Sequence, residues 1–208
     1  VTPLKLGTTK ITGVQAAAGN FAASAPSTMT FTVTGATPQV STLANVIKRF
    51  GDAEFTITNP TSVSAGAWTY SSSNTAVAAV SGNTVKIVGA GQATITAKQA
   101  ANWNWAEVTV PMVVTVLPIA PVVGTLAPTV KVVGDANFTV AAPTSTSSAA
   151  WVYATSNPAV ATVSGNTVTI VAAGTAVISA VQVAGGNYTQ SDPVAMLLTV
   201  KSVPTVGT

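Results

Sequence analysis

An offset of 83 residues carries Asp52-Ala-Glu-Phe55-Thr onto Asp135-Ala-Asn-Phe138-Thr, and Trp68-Thr-Tyr70 onto Trp151-Val-Tyr153. It also carries Val80-Ser-Gly-Asn-Thr-Val85 onto Val163-Ser-Gly-Asn-Thr-Val168. The register holds from Asn104 to Asn187; the second copy then gains one residue, so that Thr115-Val116 answers to Thr199-Val200. Such self-similarity constrains the fold more than any other feature, because each period must fold as a unit of one architecture. A fainter copy lies at the N-terminus, where an offset of 167 carries Gln15 to Gln182 and Gly19-Asn20-Phe21 to Gly186-Asn187-Tyr188. The same offset carries Gly7-Thr8 to Gly174-Thr175, Ile11 to Ile178, Pro26 to Pro193, Met29 to Met196 and Val33 to Val200.

Residues 1–33 therefore read as the second half of a repeat, and residues 34–116 and 117–200 as two complete domains. Pro204-Thr-Val-Gly-Thr208 echoes Pro121-Val-Val-Gly-Thr125, so residues 201–208 read as the first strand of a following repeat or a tail. The expectation is a window on a longer array.

Within the second copy, short β-branched runs predict strands near 121–126, 129–133, 137–141, 150–155, 159–163, 167–171, 175–183 and 193–200. Alternation is plain in Val168-Thr-Ile170-Val and in Ala176-Val-Ile178-Ser-Ala180, as a sheet buried on one face requires. Gly82-Asn83 and Gly165-Asn166 sit between apolar runs and supply the positive φ angles of a two-residue hairpin turn. Strands at this spacing with such turns predict an all-β sandwich or barrel.

Composition removes much chemistry. The chain of 208 residues has no histidine and no cysteine, which excludes His-dependent triads, thiol nucleophiles, Cys/His zinc sites and disulfides. Its eight Lys and Arg are scattered, with Lys48-Arg49 the one adjacent pair, so no basic face for nucleic acid is expected. Between Asp135 and Asp192 lie 56 residues without a formal charge, and solubility there rests on hydroxyls and amides. The uncharged stretch 108–130 is long enough for a membrane span. Pro111, Pro118, Pro121 and Pro128 break it as a helix, and it reads instead as strand, linker and strand. The given N-terminal residues show no basic segment followed by an apolar core, so no signal peptide is visible in them, and an upstream one could have been removed or omitted.

The run from Trp68 through Ser71-Ser-Ser-Asn74 and Val80-Ser-Gly-Asn-Thr-Val85 to Ala93-Thr-Ile-Thr-Ala97 resembles the group 2 bacterial immunoglobulin-like repeats, as does its copy from Trp151 to Ala180. The resemblance covers about 30 residues per repeat. It implies tandem immunoglobulin-like β-sandwiches, two complete plus one partial repeat, of the kind found in bacterial surface adhesins and phage virion proteins. It brings no catalytic residue, cofactor or metal.

Candidate sites are few. Trp68, Tyr70, Trp151 and Tyr153 stand two apart on one strand face and are expected to pack in the core, like the buried strand-C tryptophan of immunoglobulin folds. Asp52 and Asp135 each follow a glycine, and an Asx-type turn explains them. Calcium would need several oxygen ligands, but only Glu54 lies near Asp52, and Asn137 replaces it in the second copy. Trp105 matches Phe21 and Tyr188 as a repeated, structural aromatic, while Trp103 has no aromatic counterpart. Trp103, flanked by Asn102 and Asn104, is the candidate ligand contact: a stacking platform for a sugar, or a lid over a domain junction. Asn137-Phe-Thr139 and Asn187-Tyr-Thr189 match the N-glycosylation acceptor pattern. Five acids spread over the chain offer no pair for glycoside hydrolysis.

The functional expectation is a non-enzymatic stalk, spacer or decoration on a cell surface or virion. Its partners would be neighbouring immunoglobulin-like domains or subunits, without nucleic acid or membrane insertion. Two alternatives are an adhesin gripping glycan or a host-surface protein near Trp103, and a filament subunit assembled by inter-chain strand complementation.

Overall fold

The computed structural model describes Thr2 and residues 4–204, and every element of regular structure among them is a β-strand. Among these residues no helix is long and apolar enough to cross a membrane. The architecture is tandem immunoglobulin-like β-sandwiches, two complete and one partial.

The partial copy is one antiparallel hairpin, β1 (Gly7–Gly13) against β2 (Ser27–Val33), in the register Gly7↔Val33 to Gly13↔Ser27. The first complete copy comprises β3 (Val46–Arg49), β4 (Phe55–Thr56), β5 (Trp68–Ser72), β6 (Ala78–Ser81), β7 (Thr84–Ile87), β8 (Gly91–Gln99) and β9 (Val108–Leu117). The second comprises β10 (Thr129–Val132), β11 (Phe138–Thr139), β12 (Trp151–Thr155), β13 (Ala161–Ser164), β14 (Thr167–Ile170), β15 (Gly174–Gln182) and β16 (Val194–Lys201). Each complete copy forms a four-stranded sheet, β3-β9-β8-β5 or β10-β16-β15-β12, and a three-stranded one, β4-β7-β6 or β11-β14-β13. The parallel pairing of β10 with β16, Thr129↔Leu198 to Val132↔Lys201, sets the first strand of the sandwich beside the last.

Alternation explains the core. Along β15 every second residue, Ala176, Ile178, Ala180 and Gln182, is buried, and along β8 so are Ala93, Ile95, Ala97 and Gln99. In the second copy Ala176 and Ile178 join Val140, Val168, Met196 and Leu198 in one cluster, with Tyr153 and Phe138 packed at its edge. Removing a side chain as enclosed as Ile178 would cost about 2–5 kcal/mol. Among the described residues the hairpin of the partial copy has no second sheet over it: Ile11 and Phe31 are only half-buried where their equivalents Ile178 and Leu198 are fully enclosed.

The expected hairpin turns are present. Gly82 and Gly165 both adopt φ 59°, and the asparagine that follows each ties the turn to the neighbouring strand. Asn83 Nδ2 donates to the Ile57 carbonyl, and Asn166 Nδ2 to that of Val140.

Two expectations need correction. The strand expected at 121–126 is absent; that stretch makes single bridges, Val123↔Ser145 and, just before it, Ile119↔Tyr188. Pro121 has no amide to donate, and the Val122 amide goes to the Thr146 hydroxyl instead of a ladder. Nor are Trp68 and Trp151 enclosed: they face inward but stay half-buried, because β5 and β12 are the outer strands of their sheets. The core is aliphatic. The echo at 204–208 lies mostly outside the described residues, and Lys201 belongs to β16.

The chain forms two compact units. The first takes the chain up to Val46, Ala53–Ile87 and Gln92–Thr115; the second takes Ile47–Asp52, Val88–Gly91 and the chain from Val116 onward.

Candidate functional site

Asn102, Trp103 and Asn104 lie together at the tip of a tight turn between β8 and β9. The turn is closed by two backbone bonds, the Asn102 amide to the Trp105 carbonyl at 3.0 Å and the Trp105 amide to the Asn102 carbonyl at 2.8 Å. The same turn occurs in each copy, closed by Ala18 with Phe21 and by Gly185 with Tyr188. Its first central residue must be left-handed, and Gly19 and Gly186 both sit at φ 56°. In the middle copy that position is Trp103 at φ 47°, the one non-glycine with positive φ among the described residues. A left-handed backbone costs an L-residue about 1–2 kcal/mol, so this tryptophan is held against its own preference. Its side chain is 73% exposed. A shallow hollow of about 280 Å³ lies beside it, lined by Lys5, Leu6, Ala101, Asn102 and Trp103.

Asn104 anchors the turn through its backbone: its carbonyl accepts from the Ala36 amide at 2.9 Å, and the Ala106 amide returns a bond to Ala36 at 2.8 Å. The third copy repeats this with Ile119, whose amide donates to the Asn187 carbonyl and whose carbonyl accepts from Thr189. Trp105 and Tyr188 are accordingly half-buried, whereas the matching Phe21 is 82% exposed. The aromatic is thus structural in two copies and open in the first. Across the base of the middle turn Lys98 and Glu107 form a half-exposed ion pair at 2.8 Å. Its equivalents, Val181 and Gln190, carry no charge.

The other sequence candidates resolve into local structure. The Asp52 carboxylate accepts the Arg49 amide at 2.7 Å, and the Asp135 carboxylate that of Val132 at 2.9 Å, so each reaches back to close the turn that precedes it. The Tyr70 hydroxyl donates to Asn59 Oδ1 at 2.7 Å. Partial burial pushes the Tyr70 and Tyr153 phenols above their ordinary value of 10.0. Asn187, within a glycosylation pattern, spends its side-chain oxygen on the Ala90 amide at 2.7 Å. Among the described residues no three acidic side chains gather where a metal could bind.

Each complete copy also holds a buried polar cluster outside the sequence candidates. Gln182 Nε2 donates to the carbonyls of Ser147 and Ala149 at 3.0 and 2.8 Å, and its Oε1 accepts from the Ser145 hydroxyl at 2.5 Å. Gln99 makes the equivalent bonds to Ser64, Gly66 and Ser62 in the first complete copy. A signal was available: both glutamines stand in the inward register of an alternating strand, and the paired serines recur with the period of 83.

No family model matches the chain, and no curated protein matches it. Solved structures do. It is similar to human protocadherin-24 EC1-2 at 16% identity and TM-score 0.32, over 82% of this chain and all of that one. It is also similar to domains 4 and 5 of the S-layer protein SbsC, at 21% identity and TM-score 0.29, over 64% of this chain and 76% of that one. A third is the endo-fucoidan hydrolase MfFcnA4 from glycoside hydrolase family 107, at 10% identity and TM-score 0.34, over 96% of this chain and 35% of that one.

Proposed function

We propose that the chain is a non-enzymatic structural module of the group 2 bacterial immunoglobulin-like type. Its tandem domains act as stalk, spacer or decoration in a large extracellular surface or phage virion protein. The observation that carries this is mechanical. In the second complete copy the first strand β10 runs parallel to the last strand β16, and the Val133 amide extends the pairing to the Lys201 carbonyl at 2.9 Å. Tension applied through the chain at the two ends of such a sandwich loads these bonds in shear, all at once, instead of peeling them singly. The first complete copy keeps the arrangement, with β3 beside β9 and the Phe50 amide on the Leu117 carbonyl at 2.9 Å. Partners are neighbouring immunoglobulin-like domains, and the chemistry at the turns is hydrogen bonding and stacking, not catalysis.

Single-molecule pulling on the whole chain tests this reading. Two unfolding events of like force are expected, each releasing about 230 Å of contour length, the extended span from first to last strand less its folded separation. One gradual extension without force peaks overturns it.

The strained, exposed Trp103 favours a second reading, an adhesin whose middle turn presents an aromatic to glycan or protein. A glycan and surface-protein array separates the two. Specific capture that is lost in Trp103→Ala establishes the adhesin, and no capture leaves the spacer.

A further inference from the structure

The last strand of the second complete copy is only partly covered by the first. Strand β10 meets β16 from Thr129↔Leu198 onward, so the part of β16 before Leu198 forms an open edge of its sheet among the described residues. Val177 gives its amide to the Ser156 hydroxyl and accepts the Ser156 amide on its carbonyl, both on the β12 side. Its cross-strand partner Leu197 therefore turns its own amide the opposite way, toward the open edge. Ala195, two residues earlier on the same strand, turns its amide and carbonyl to that edge as well.

The first complete copy seals the same edge with its own residues. Val113 stands at the place of Leu197, and its amide donates to Asn45 Oδ1 at 2.8 Å. Pro111 stands at the place of Ala195 and has no amide hydrogen to offer. The second copy has neither seal: Ala195 replaces the proline, and Pro128, at the place of Asn45, brings no side-chain acceptor. Beside this edge lies a cavity of about 590 Å³ that reaches from Met196 in one sheet to Phe138 in the other, with Leu126, Ala127 and Val140 along it. Its lining among the described residues is apolar or hydroxyl-bearing and carries no charge.

We infer that the β16 edge from Ala195 to Leu197 receives an extended, uncharged peptide strand of a protein partner by strand addition. The Leu197 amide and both backbone groups of Ala195 pair with that strand, and every second side chain of it enters the cavity toward Met196 and Phe138. The uncharged lining selects the occupant, because a charged side chain entering the cavity would be buried without a partner. The two ends of the cavity wall come from different sheets, so the occupant bridges them where the chain's own first strand does not. The binding site is additional to the spacer and adhesin readings and depends on neither.

Nuclear magnetic resonance on the isotope-labelled full chain tests this, with the blocked peptide acetyl-Thr-Val-Thr-Val-Thr-Val-amide as the probe. Before peptide is added, the Leu197 amide should exchange with solvent about tenfold faster than the capped Val113 amide. Millimolar peptide should then shift the Ala195 and Leu197 amide resonances and slow their exchange. The variant Pro128→Asn/Ala195→Pro carries the seals of the first copy and should bind the peptide about tenfold more weakly, the weight of two backbone hydrogen bonds. The reverse variant Asn45→Ala/Pro111→Ala should bring the same peptide response to Val113. Equal exchange at Leu197 and Val113 overturns the inference, as does peptide that leaves the Ala195 and Leu197 amides unmoved. A response confined to the Met196 methyl and unchanged by the seals overturns it too, since it marks an apolar ligand in the cavity and no added strand.

Discussion

Replacing Gln182 by alanine removes three hydrogen bonds at once from a side chain that is 1% exposed. Each bond contributes about 1 kcal/mol net, and the carbonyls of Ser147 and Ala149 are left facing a gap where the side chain lay, so the expected loss is about 3–4 kcal/mol. That is a large share of the roughly 5–15 kcal/mol that holds an ordinary domain folded. Gln182→Glu is more diagnostic, because it keeps the volume but aims a carboxylate at two carbonyl oxygens. Burial and those acceptors hold the folded carboxyl above its unfolded value of about 4.3, so the variant's stability is present below that pH and falls as pH rises. Gln15 is the internal control. It occupies the same repeat position and makes the same backbone exchange, its amide to the Ser24 hydroxyl as Gln182 to Ser191, but its side chain is exposed. Gln15→Ala should cost under about 0.5 kcal/mol. Urea unfolding followed by circular dichroism, with amide exchange read over residues 143–150, gives the comparison. A loss below about 1 kcal/mol for Gln182→Ala, or equal losses at positions 15 and 182, would mean that the buried glutamine bonds do not hold the copy together.

Trp103→Gly should stabilise the middle copy by about 0.5–1 kcal/mol by relieving the left-handed backbone, and Gly186→Trp should cost a similar amount, both read as shifts in thermal midpoint. Gly174→Ala places a methyl 2.7 Å from Val160 Cγ2 at φ 145° and should cost about 1–3 kcal/mol. Gly165→Ala meets nothing within 4 Å and should cost only about 1 kcal/mol for its φ of 59°. The Tyr70 and Tyr153 phenols are raised by burial, so the unfolded chain ionises first: stability should be level up to their ordinary value of 10.0 and fall above it. Tyr70→Phe and Tyr153→Phe together should flatten that fall in alkaline denaturation curves.

Much of this fold is legible in the sequence because its signals are local. Glycine-asparagine pairs between alternating runs specify the β6–β7 and β13–β14 turns within a few residues, and the period of 83 aligns them. The false strand at 121–126 shows the limit: β-branched residues fit a pleated surface, but Pro121 and side-chain competition for the Val122 amide leave only bridges. The half-burial of Trp68 was hidden because strand order, not residue type, makes β5 an outer strand. At the candidate site the three residues could be picked out, yet the backbone strain at Trp103 could not be, although Gly19 and Gly186 stood at the equivalent positions. The contacts of Asn187 with Ala90, and of Tyr188 with Phe50, join residues 97 and 138 apart, which no local pattern announces.

On the proposed function, these sandwiches carry load through their first and last strands. The most direct measurement compares two pulling directions on the second complete copy in the full chain, using pairs of introduced cysteines. Pro128→Cys with Ser202→Cys pulls on opposite ends of the β10–β16 pair and shears it. Pro128→Cys with Leu197→Cys pulls at the end where Thr129 pairs with Leu198 and peels it. The unfolding force is expected to be several-fold higher in the shear direction. Equal forces in the two directions would contradict it.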